Sequence, residues 1–376
     1  MPPQSRGDAS SFSPAQHEND LKRGVKLMEK DYYEEMADML SSVGFRIGPG
    51  LKSPELMELL HFWFTPEEVR IAVLAGFEGC QRDALAKRTE IPPETLKAKL
   101  KNMSEKGLIW IQPGSENPVY KALTMEAPGL YETAVWRKDD SPFKKKLQEL
   151  LYKVVPIYIN EGVTLEGAID LPVCCAPRVL PPNTPAAENM FEQIKQQADI
   201  AVALCPCRSL ADVCSHPVES CFSFGEIARW AIEHNFARRI TADECISMLE
   251  EFEDLGMFHV GMPGFAVCSC CKDACINLIG MRMGKRHVIS KGTYFAFFDS
   301  ELCNSCGACV ERCPVEIIEL EPTATADPEK CTGCGICAVG CPEIAVKMVR
   351  RTDEEIAGLQ GKLMEKMSNI TYLKLF

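Results

Sequence analysis

The chain of 376 residues lacks a long apolar segment, since no run of about 18 apolar residues occurs in it. We therefore expect no membrane span. Residues 1–20 are polar and lack the apolar core of a secretory signal peptide. Basic residues are in the minority, with 41 Lys and Arg against 53 Asp and Glu and a formal net charge of −12. This balance disfavours nucleic acid or anionic lipid as a partner and favours proteins with basic docking patches.

The motifs of common nucleotide-dependent enzymes are also missing. No G-x-G-x-x-G follows a predicted strand, and residues 280–285 lack the spacing and the Ser/Thr of a P-loop. No Ser/His/Asp or paired-carboxylate arrangement stands out either. The sequence therefore offers no nucleotide site for a self-contained dehydrogenase.

Cysteine, by contrast, is abundant, and its densest pattern lies towards the C-terminal end. The motif C-x-x-C-x-x-C-x-x-x-C-P occurs twice, at residues 303–314 and 331–342. Three cysteines at this spacing wrap one 4Fe–4S cubane, and the fourth, before the proline, ligates the other cluster. A zinc site does not predict this doubled pattern. The expected ligands are Cys303, Cys306, Cys309 and Cys341 for one cluster, and Cys331, Cys334, Cys337 and Cys313 for the other.

These motifs resemble the bacterial two-cluster 4Fe–4S ferredoxin domain over residues 293–349. The resemblance implies a small pseudo-symmetric α+β fold and one-electron transfer, without naming the donor or acceptor. Residues 301–349 carry eight acidic and three basic side chains, hence a net charge of −5 before clusters are counted. An acidic cluster-bearing face suits transient docking to a basic redox partner.

The 20 cysteines could instead form disulfides in a secreted protein. The length of the chain, the cluster motifs and the polar N-terminal residues oppose that interpretation. We therefore expect a reducing compartment, the cytoplasm, and cubane clusters favour an oxygen-poor one.

Residues 171–292 contain a second group of cysteines. A predicted strand at residues 200–204 leads into a Cys-Pro-Cys-Arg run, and another cysteine-rich edge lies around residues 268–275. Two predicted helices between the edges, the first capped by Ser223 and Glu226, would fold them into one pocket. The density of thiols predicts a third iron–sulfur site. Its candidate ligands are Cys205, Cys207, Cys214, Cys221, Cys268, Cys270, Cys271 and Cys275.

Several forms of this central site stay open. A single 4Fe–4S cluster is the economical interpretation, but the thiols could also hold a second cluster, which would be the fourth of the chain, or a zinc ion. Inert thiols or a redox disulfide are further alternatives. The preferred ligands of a single cluster are Cys207, Cys214, Cys221 and one of Cys268, Cys270 or Cys271.

Two other side chains near these cysteines have alternative roles. His216 could ligate a metal, but Pro217 after it favours a turn residue. Arg208 could donate a charge-assisted hydrogen bond to a sulfur, or form a surface salt bridge to Glu219.

Residues 53–136 resemble a winged helix, because predicted helices are followed by a two-stranded hairpin. Thr65 and Glu68 form a capping box at the start of one helix. The basic residues of the candidate recognition helix, Lys97 and Lys101 among them, are too few for the phosphate footprint of a DNA reader. Helices are predicted from Pro54, from Pro66, at 82–88 and at 93–106, and strands at 108–111 and 119–123.

Residues 53–349 as a whole resemble multi-cluster ferredoxin-like proteins of anaerobic bacteria and archaea. The Cys-Pro-Cys-Arg run, the following His-Pro and cysteines and the two ferredoxin motifs carry this resemblance. It implies redox work in anaerobic metabolism. The cysteine knot of that family is denser, because Lys272, Asp273 and Ala274 stand here where further cysteines would be expected.

The predicted fold class is a multidomain α+β protein, with a central cysteine-rich α/β domain between a winged-helix-like domain and a two-cluster ferredoxin fold. A helix is predicted over residues 142–153 and an edge strand over 154–159, and the last residues form an amphipathic tail that packs on its own core or on a partner. The predicted divisions are an N-terminal arm and helix (1–52), the winged-helix-like domain (53–136), a linker and helix (137–170), the central domain (171–292), the ferredoxin domain (293–349) and a C-terminal helix or tail (350–376).

The sequence thus predicts an iron–sulfur electron-transfer protein, or a subunit of a larger anaerobic oxidoreductase, that exchanges electrons with redox partner proteins. One alternative is a redox-responsive DNA-binding regulator that uses the winged helix. Another is a reductive activator or catalytic iron–sulfur subunit with its reaction at the central cysteines.

Overall fold

The computed structural model describes residues 31–42, 52–125, 129–137, 141–160, 171–283 and 289–359. Along the chain they form an N-terminal helical unit, a central unit built on one large sheet and a small C-terminal unit. Within these residues, none of the helices has the length and apolar character needed to cross a membrane.

The N-terminal unit combines helices with one small sheet. The capping box of Thr65 and Glu68 is present, and Leu96, Leu100 and Met103 are buried as their helical spacing predicts. Its three strands pair antiparallel in the order β1-β3-β2. The elements are α1 (Tyr32–Ser42), α2 (Pro54–Trp63), α3 (Pro66–Ala75), β1 (Cys80–Gln81), α4 (Arg82–Thr89), α5 (Pro93–Glu105), β2 (Ile109–Ile111), β3 (Val119–Ala122), α6 (Leu130–Trp136) and α7 (Pro142–Asn160).

The predicted edge strand over residues 154–159 is wrong, because α7 continues to Asn160 with Pro156 inside it. Leu147, Leu151 and Val154 are buried at a spacing of three and four residues, which is that of a helix face. This face packs against α2 and α6. Tertiary packing therefore overrides the strand preference of the β-branched residues.

The central unit carries a seven-stranded sheet in the order β10-β4-β8-β9-β6-β5-β7. β10 and β4 are parallel, and the other neighbours are antiparallel. The elements are β4 (Leu171–Cys174), α8 (Met190–Ile194), β5 (Ile200–Leu204), α9 (Pro206–Ala211), β6 (Glu219–Phe224), α10 (Gly225–Glu233), β7 (Arg238–Arg239), α11 (Ala242–Asp254), β8 (Phe258–Met262), β9 (Ala266–Cys270), α12 (Ile276–Arg282) and β10 (Ile289–Ser290).

The predicted capping box of Ser223 and Glu226 is wrong. Ser223 lies inside β6, paired with Ala201 on one side and Ala266 on the other. The helix begins at Gly225 without a side-chain cap, and Gly225 has a left-handed φ of 58°. Ser223 therefore belongs to a strand that pairs on both sides, and not to the start of the helix as the sequence pattern predicted.

The C-terminal unit is built from two similar halves. β11 pairs with β14, and β12 pairs with β13, each antiparallel. Thr352 and Glu355 hydrogen-bond each other at the start of a helix over residues 353–359. The rest of the predicted tail and of the N-terminal arm lies outside the described residues. The elements are β11 (Tyr294–Phe298), α13 (Ala308–Arg312), β12 (Ile318–Leu320), β13 (Ala324–Ala326), α14 (Ile336–Val339) and β14 (Val346–Arg350).

The N-terminal helical unit and the central sheet share one buried core. Trp110 of β2 stacks on Trp230 of α10 with ring centroids 4.8 Å apart. Trp136 Nε1–H donates to the carbonyl of Leu204 at 2.9 Å, at the end of β5. This packing fixes the N-terminal unit next to the cysteines that follow β5.

We expect Trp230→Ala to destabilise the protein by about 3–5 kcal/mol, because it removes a fully buried indole and leaves a cavity. The matched control is Phe297→Ala, an apolar side chain that is 50% exposed and should change stability by less than about 0.5 kcal/mol. Denaturation of anaerobically prepared protein, followed by circular dichroism, measures both. Equal midpoints for the two variants would contradict the shared core.

Candidate metal centres

Four thiols from the two C-terminal motifs line one small cavity, which we call cavity 1. Two of the cysteines come from the loop that leads into α13, the third lies in the first turn of α13, and the fourth follows α14. Cys306 is exposed and Cys309 is buried, so cavity 1 reaches the protein surface. The four cysteines are Cys303, Cys306, Cys309 and Cys341.

The other four thiols line a second small cavity, which we call cavity 2. All four are buried, in contrast to those of cavity 1. Phe298 of β11 lines both cavities and so lies between them. The cysteines of cavity 2 are Cys313, Cys331, Cys334 and Cys337.

The backbone around both cavities suits a cluster with sulfur ligands. Gly307 and Gly335, which precede α13 and α14, have left-handed φ values of 80° and 79° and turn the chain tightly between cysteines. The N–H of Ala345 donates to the Sγ of Cys341 at 3.3 Å. Hydrogen bonds from the backbone at Ala324 and Ser305 lower the pKa of Cys303. Such N–H···S contacts stabilise thiolate ligands and tune a cluster's potential.

These two groups of four thiols are the groups that the motif spacing predicts. Their lining is otherwise mainly apolar, with Leu320 and Val346 in cavity 1 and Ala296 and Ile318 in cavity 2. Four thiols, apolar walls and nearby N–H donors fit a 4Fe–4S cluster in each cavity. The ligand role of each cysteine stays a prediction.

Cys175 lies beside cavity 2, although no sequence motif surrounds it. Its thiol is buried, and burial together with the neighbouring Cys334 and Cys337 raises its pKa well above the usual value. The next residue, Ala176, donates its N–H to the carbonyl of Cys334 at 3.0 Å. The end of β4 thus joins the central sheet to cavity 2, a contact that only long-range folding creates.

Six of the eight candidate cysteines of the central unit form a connected group, which we call the central thiol network. Cys221 on β6 and Cys268 on β9 are cross-strand partners, and Cys270 lies two residues further on the same face. Hydrogen bonds link Cys221 to Cys268, Cys268 to Cys270, and Cys270 to Cys275. The network consists of Cys205, Cys207, Cys221, Cys268, Cys270 and Cys275.

Cys205 and Cys207 enter this network from the start of α9. The Cys207 thiol donates a hydrogen bond to Cys205. This hydrogen bond and the nearby Arg208 guanidinium lower the pKa of Cys205. The pKa of Cys207 is raised, because its thiol donates this hydrogen bond and is buried. A thiol with a lowered pKa is a ready metal ligand, because the thiolate is the binding form.

Cys214 and Cys271 lie apart from the central thiol network. Their Sγ atoms are 3.6 Å apart, and His216 is the third member of their group. Cys271 packs into the core on the face of β9 that holds Val267, because it is an odd number of residues from Cys268 and Cys270. The structure thus groups Cys214 with Cys271 and His216, which disfavours a single site made of Cys207, Cys214 and Cys221, and the ligand role of each cysteine stays a prediction.

Arg208 lies between the two groups of thiols and is buried. It donates to the carbonyls of Pro217 and Ser269 at 2.9 and 3.0 Å. The Cys271 side chain lies beside the guanidinium, and a hydrogen bond from Arg208 to this sulfur stays a prediction. The alternative salt bridge to Glu219 is wrong, because Glu219 pairs with Arg238 at 2.9 Å.

Two segments of the chain match family models, and both are described as a 4Fe-4S binding domain. The first match covers residues 296–319 and the second covers residues 323–346. Each contains one cysteine motif, so the prediction of two adjacent ferredoxin-type domains at this end of the chain is confirmed. No curated protein and no solved structure matches the chain.

We expect Arg208→Met to destabilise the protein by about 2–5 kcal/mol, because the buried Ser269 carbonyl, the half-buried Pro217 carbonyl and the buried Ser220 hydroxyl lose their donor. Arg239→Met removes an exposed arginine paired with Asp199 and serves as control, with an expected loss below about 1 kcal/mol. Denaturant titration compares the two. If the denaturation midpoint of Arg208→Met is equal to or higher than that of the control, the buried hydrogen bonds of Arg208 do not stabilise the fold.

Proposed function

We propose that the chain is an iron–sulfur electron-transfer protein that passes single electrons between a partner protein and its own central thiol network. The proposal rests on the way the thiol groups follow one another from the protein surface to the central sheet. Cavity 1 reaches the surface at Cys306, cavity 2 is buried, and Cys175 joins cavity 2 to the central sheet.

In this proposal the cysteines of cavities 1 and 2 are the ligands of two 4Fe–4S clusters. When bound, each cluster supplies one-electron redox chemistry. The chain would hold the two clusters on either side of Phe298, and the one in cavity 2 would be bound by four buried cysteines. Its N–H donors to sulfur stabilise the charge that the clusters carry.

A third 4Fe–4S cluster is proposed at the central thiol network. Four of its thiols interact with one another across β5, β6 and β9. Cys270 and Cys275 extend from this group towards cavity 2 and pack in the same apolar cluster as Cys334. The proposed ligands of the third cluster are Cys205, Cys207, Cys221 and Cys268.

The proposed partner is a redox protein with a basic docking patch, within a larger anaerobic oxidoreductase system of the cytoplasm. Glu301 and Glu343 are exposed in the C-terminal unit, and Glu343 lines cavity 1 itself. Acidic side chains next to an exposed cluster would attract cationic surfaces and repel anionic ones.

A winged-helix assignment of the N-terminal unit agrees with its helices and three-stranded sheet, but a DNA-binding role is less favoured. Lys99 pairs with Glu67 at 2.6 Å and Lys106 pairs with Glu68 at 2.7 Å. These contacts neutralise charge that phosphate binding would need. We therefore propose that the unit serves as a protein module packed on the central sheet.

A catalytic role at the central site is the second candidate, favoured by a cavity of about 240 Å³ beside Cys207. Its walls include Leu210 and Ile276, and the hydroxyl of Tyr131 lies 3.8 Å from the Cys207 Sγ. A small apolar electron acceptor would fit such walls. Spectra of the reduced protein that change with one member of an acceptor panel would favour this role, and unchanged spectra would count against it.

We expect about twelve irons per chain in protein purified without oxygen, because three cubanes hold four each. Cys221→Ser should lower the count to about eight, and Cys80→Ser, outside every thiol group, should leave it at about twelve. Iron and acid-labile sulfide analysis measures both. About eight irons in the unaltered protein would remove the third cluster, and twelve in Cys221→Ser would remove Cys221 from its ligands.

We also expect the reduced protein to transfer electrons faster to a cationic than to an anionic acceptor of the same potential at low salt. The difference should shrink as ionic strength rises, because exposed charges are screened. Glu301→Lys combined with Glu343→Lys should reduce it, whereas Glu58→Lys in the N-terminal unit should not. Stopped-flow rates test this, and equal rates for both acceptors at low salt would exclude steering by the acidic face.

A further inference from the structure

Cys214, His216 and Cys271 have the geometry of a site for a single metal ion. Their ligand atoms all lie within 4.8 Å of one another, and the two Sγ atoms are 3.6 Å apart. Two thiolates on one tetrahedral zinc ion, with Zn–S bonds of about 2.3 Å, would be separated by about 3.8 Å. The separation is much longer than the roughly 2.05 Å of a disulfide bond.

The hydrogen bonding of His216 is that of a metal ligand. Its Nε2 lies 3.2 Å from the carbonyl of Leu255, and a carbonyl only accepts, so Nε2 carries the proton. Nδ1 then has a free lone pair. This atom is buried and has no hydrogen-bond partner among the residues that the structure describes. Metal-binding histidines typically donate their other N–H to a carbonyl in this way.

The local fold keeps the three side chains together at the edge of the central unit. Cys214 and His216 lie in the loop between α9 and β6, which starts at Asp212 with a left-handed φ of 49°. Cys271 directly follows β9. Cys214 is half-buried and its neighbours Val213 and Ser215 are exposed, so an ion can reach the site from solvent.

We propose that Cys214, Cys271 and Nδ1 of His216 bind one zinc ion at a site separate from the iron–sulfur clusters. Two thiolates and one imidazole are a ligand set typical of zinc, and three protein ligands leave the fourth tetrahedral position open to water. Arg208, beside Cys271, lies between this site and the central thiol network. The proposal does not depend on the proposed electron-transfer function.

The test counts zinc and iron in the same anaerobically purified sample of the full chain. The unaltered protein should contain about one zinc per chain. Cys214→Ser, Cys271→Ser and His216→Ala should each lose this zinc and keep the iron of the unaltered protein. Cys80→Ser should keep both metals. A thiol-reactive reagent should label Cys214 and Cys271 much faster after zinc is removed by a chelator.

Three results would overturn the proposal. The first is an unaltered protein without zinc that also binds none when zinc is added. The second is recovery of Cys214 and Cys271 as a disulfide in peptide mapping. The third is loss of iron in His216→Ala or in the serine variants, which would make these residues iron ligands. Should a serine variant fail to fold, cobalt bound to the unaltered protein decides the matter. Sulfur-to-cobalt charge-transfer bands and tetrahedral d–d bands that change in His216→Ala would support the site, and their absence would overturn it.

Discussion

The pairing of β6 with β9 is the constraint on which the central site depends. It places Cys221 opposite Cys268, although 47 positions separate them in the chain (268 minus 221). Because side chains alternate along a strand, the same register puts Cys268 and Cys270 on one face. Cys271, the first residue after β9, packs on the other side with Val267. A slip of one residue would exchange these sets. The register therefore decides which thiols can share a metal.

A buried polar contact holds the central and C-terminal units in one relative position. Glu253 is fully buried, and its carboxylate accepts a hydrogen bond from Arg178 at 2.6 Å. Arg312 of the C-terminal unit donates to the backbone carbonyl of Glu253. The ion pair fixes Glu253 within the central unit, and the hydrogen bonds from Arg312 to the carbonyls of Glu253 and Asp254 cross the boundary and resist separation of the units. They keep cavity 2 against Cys175, as the proposed electron path requires.

Much of the fold was predictable from sequence wherever the signal is local. The capping box of Thr65 and Glu68 spans four residues, and the thiols that line each C-terminal cavity follow from motifs of twelve. Predictions failed where distant packing competes with local preference. Residues 154–159 are rich in β-branched side chains but continue a helix, in which the buried Val154 extends the face that packs on α2. Ser223 lies inside a strand that pairs with a neighbour on each side.

The sequence by itself determined two adjacent ferredoxin-type domains, because cysteine spacing along one tight loop encodes how a cubane is wrapped. It also identified the cysteines of the central unit. Only the tertiary structure decided how those cysteines divide into groups, that Arg208 is buried between them, and that Cys175 reaches cavity 2. The reason is physical: which thiols meet depends on strand register, on the face of the sheet and on the packing of one unit against another, and spacing along the chain does not specify these.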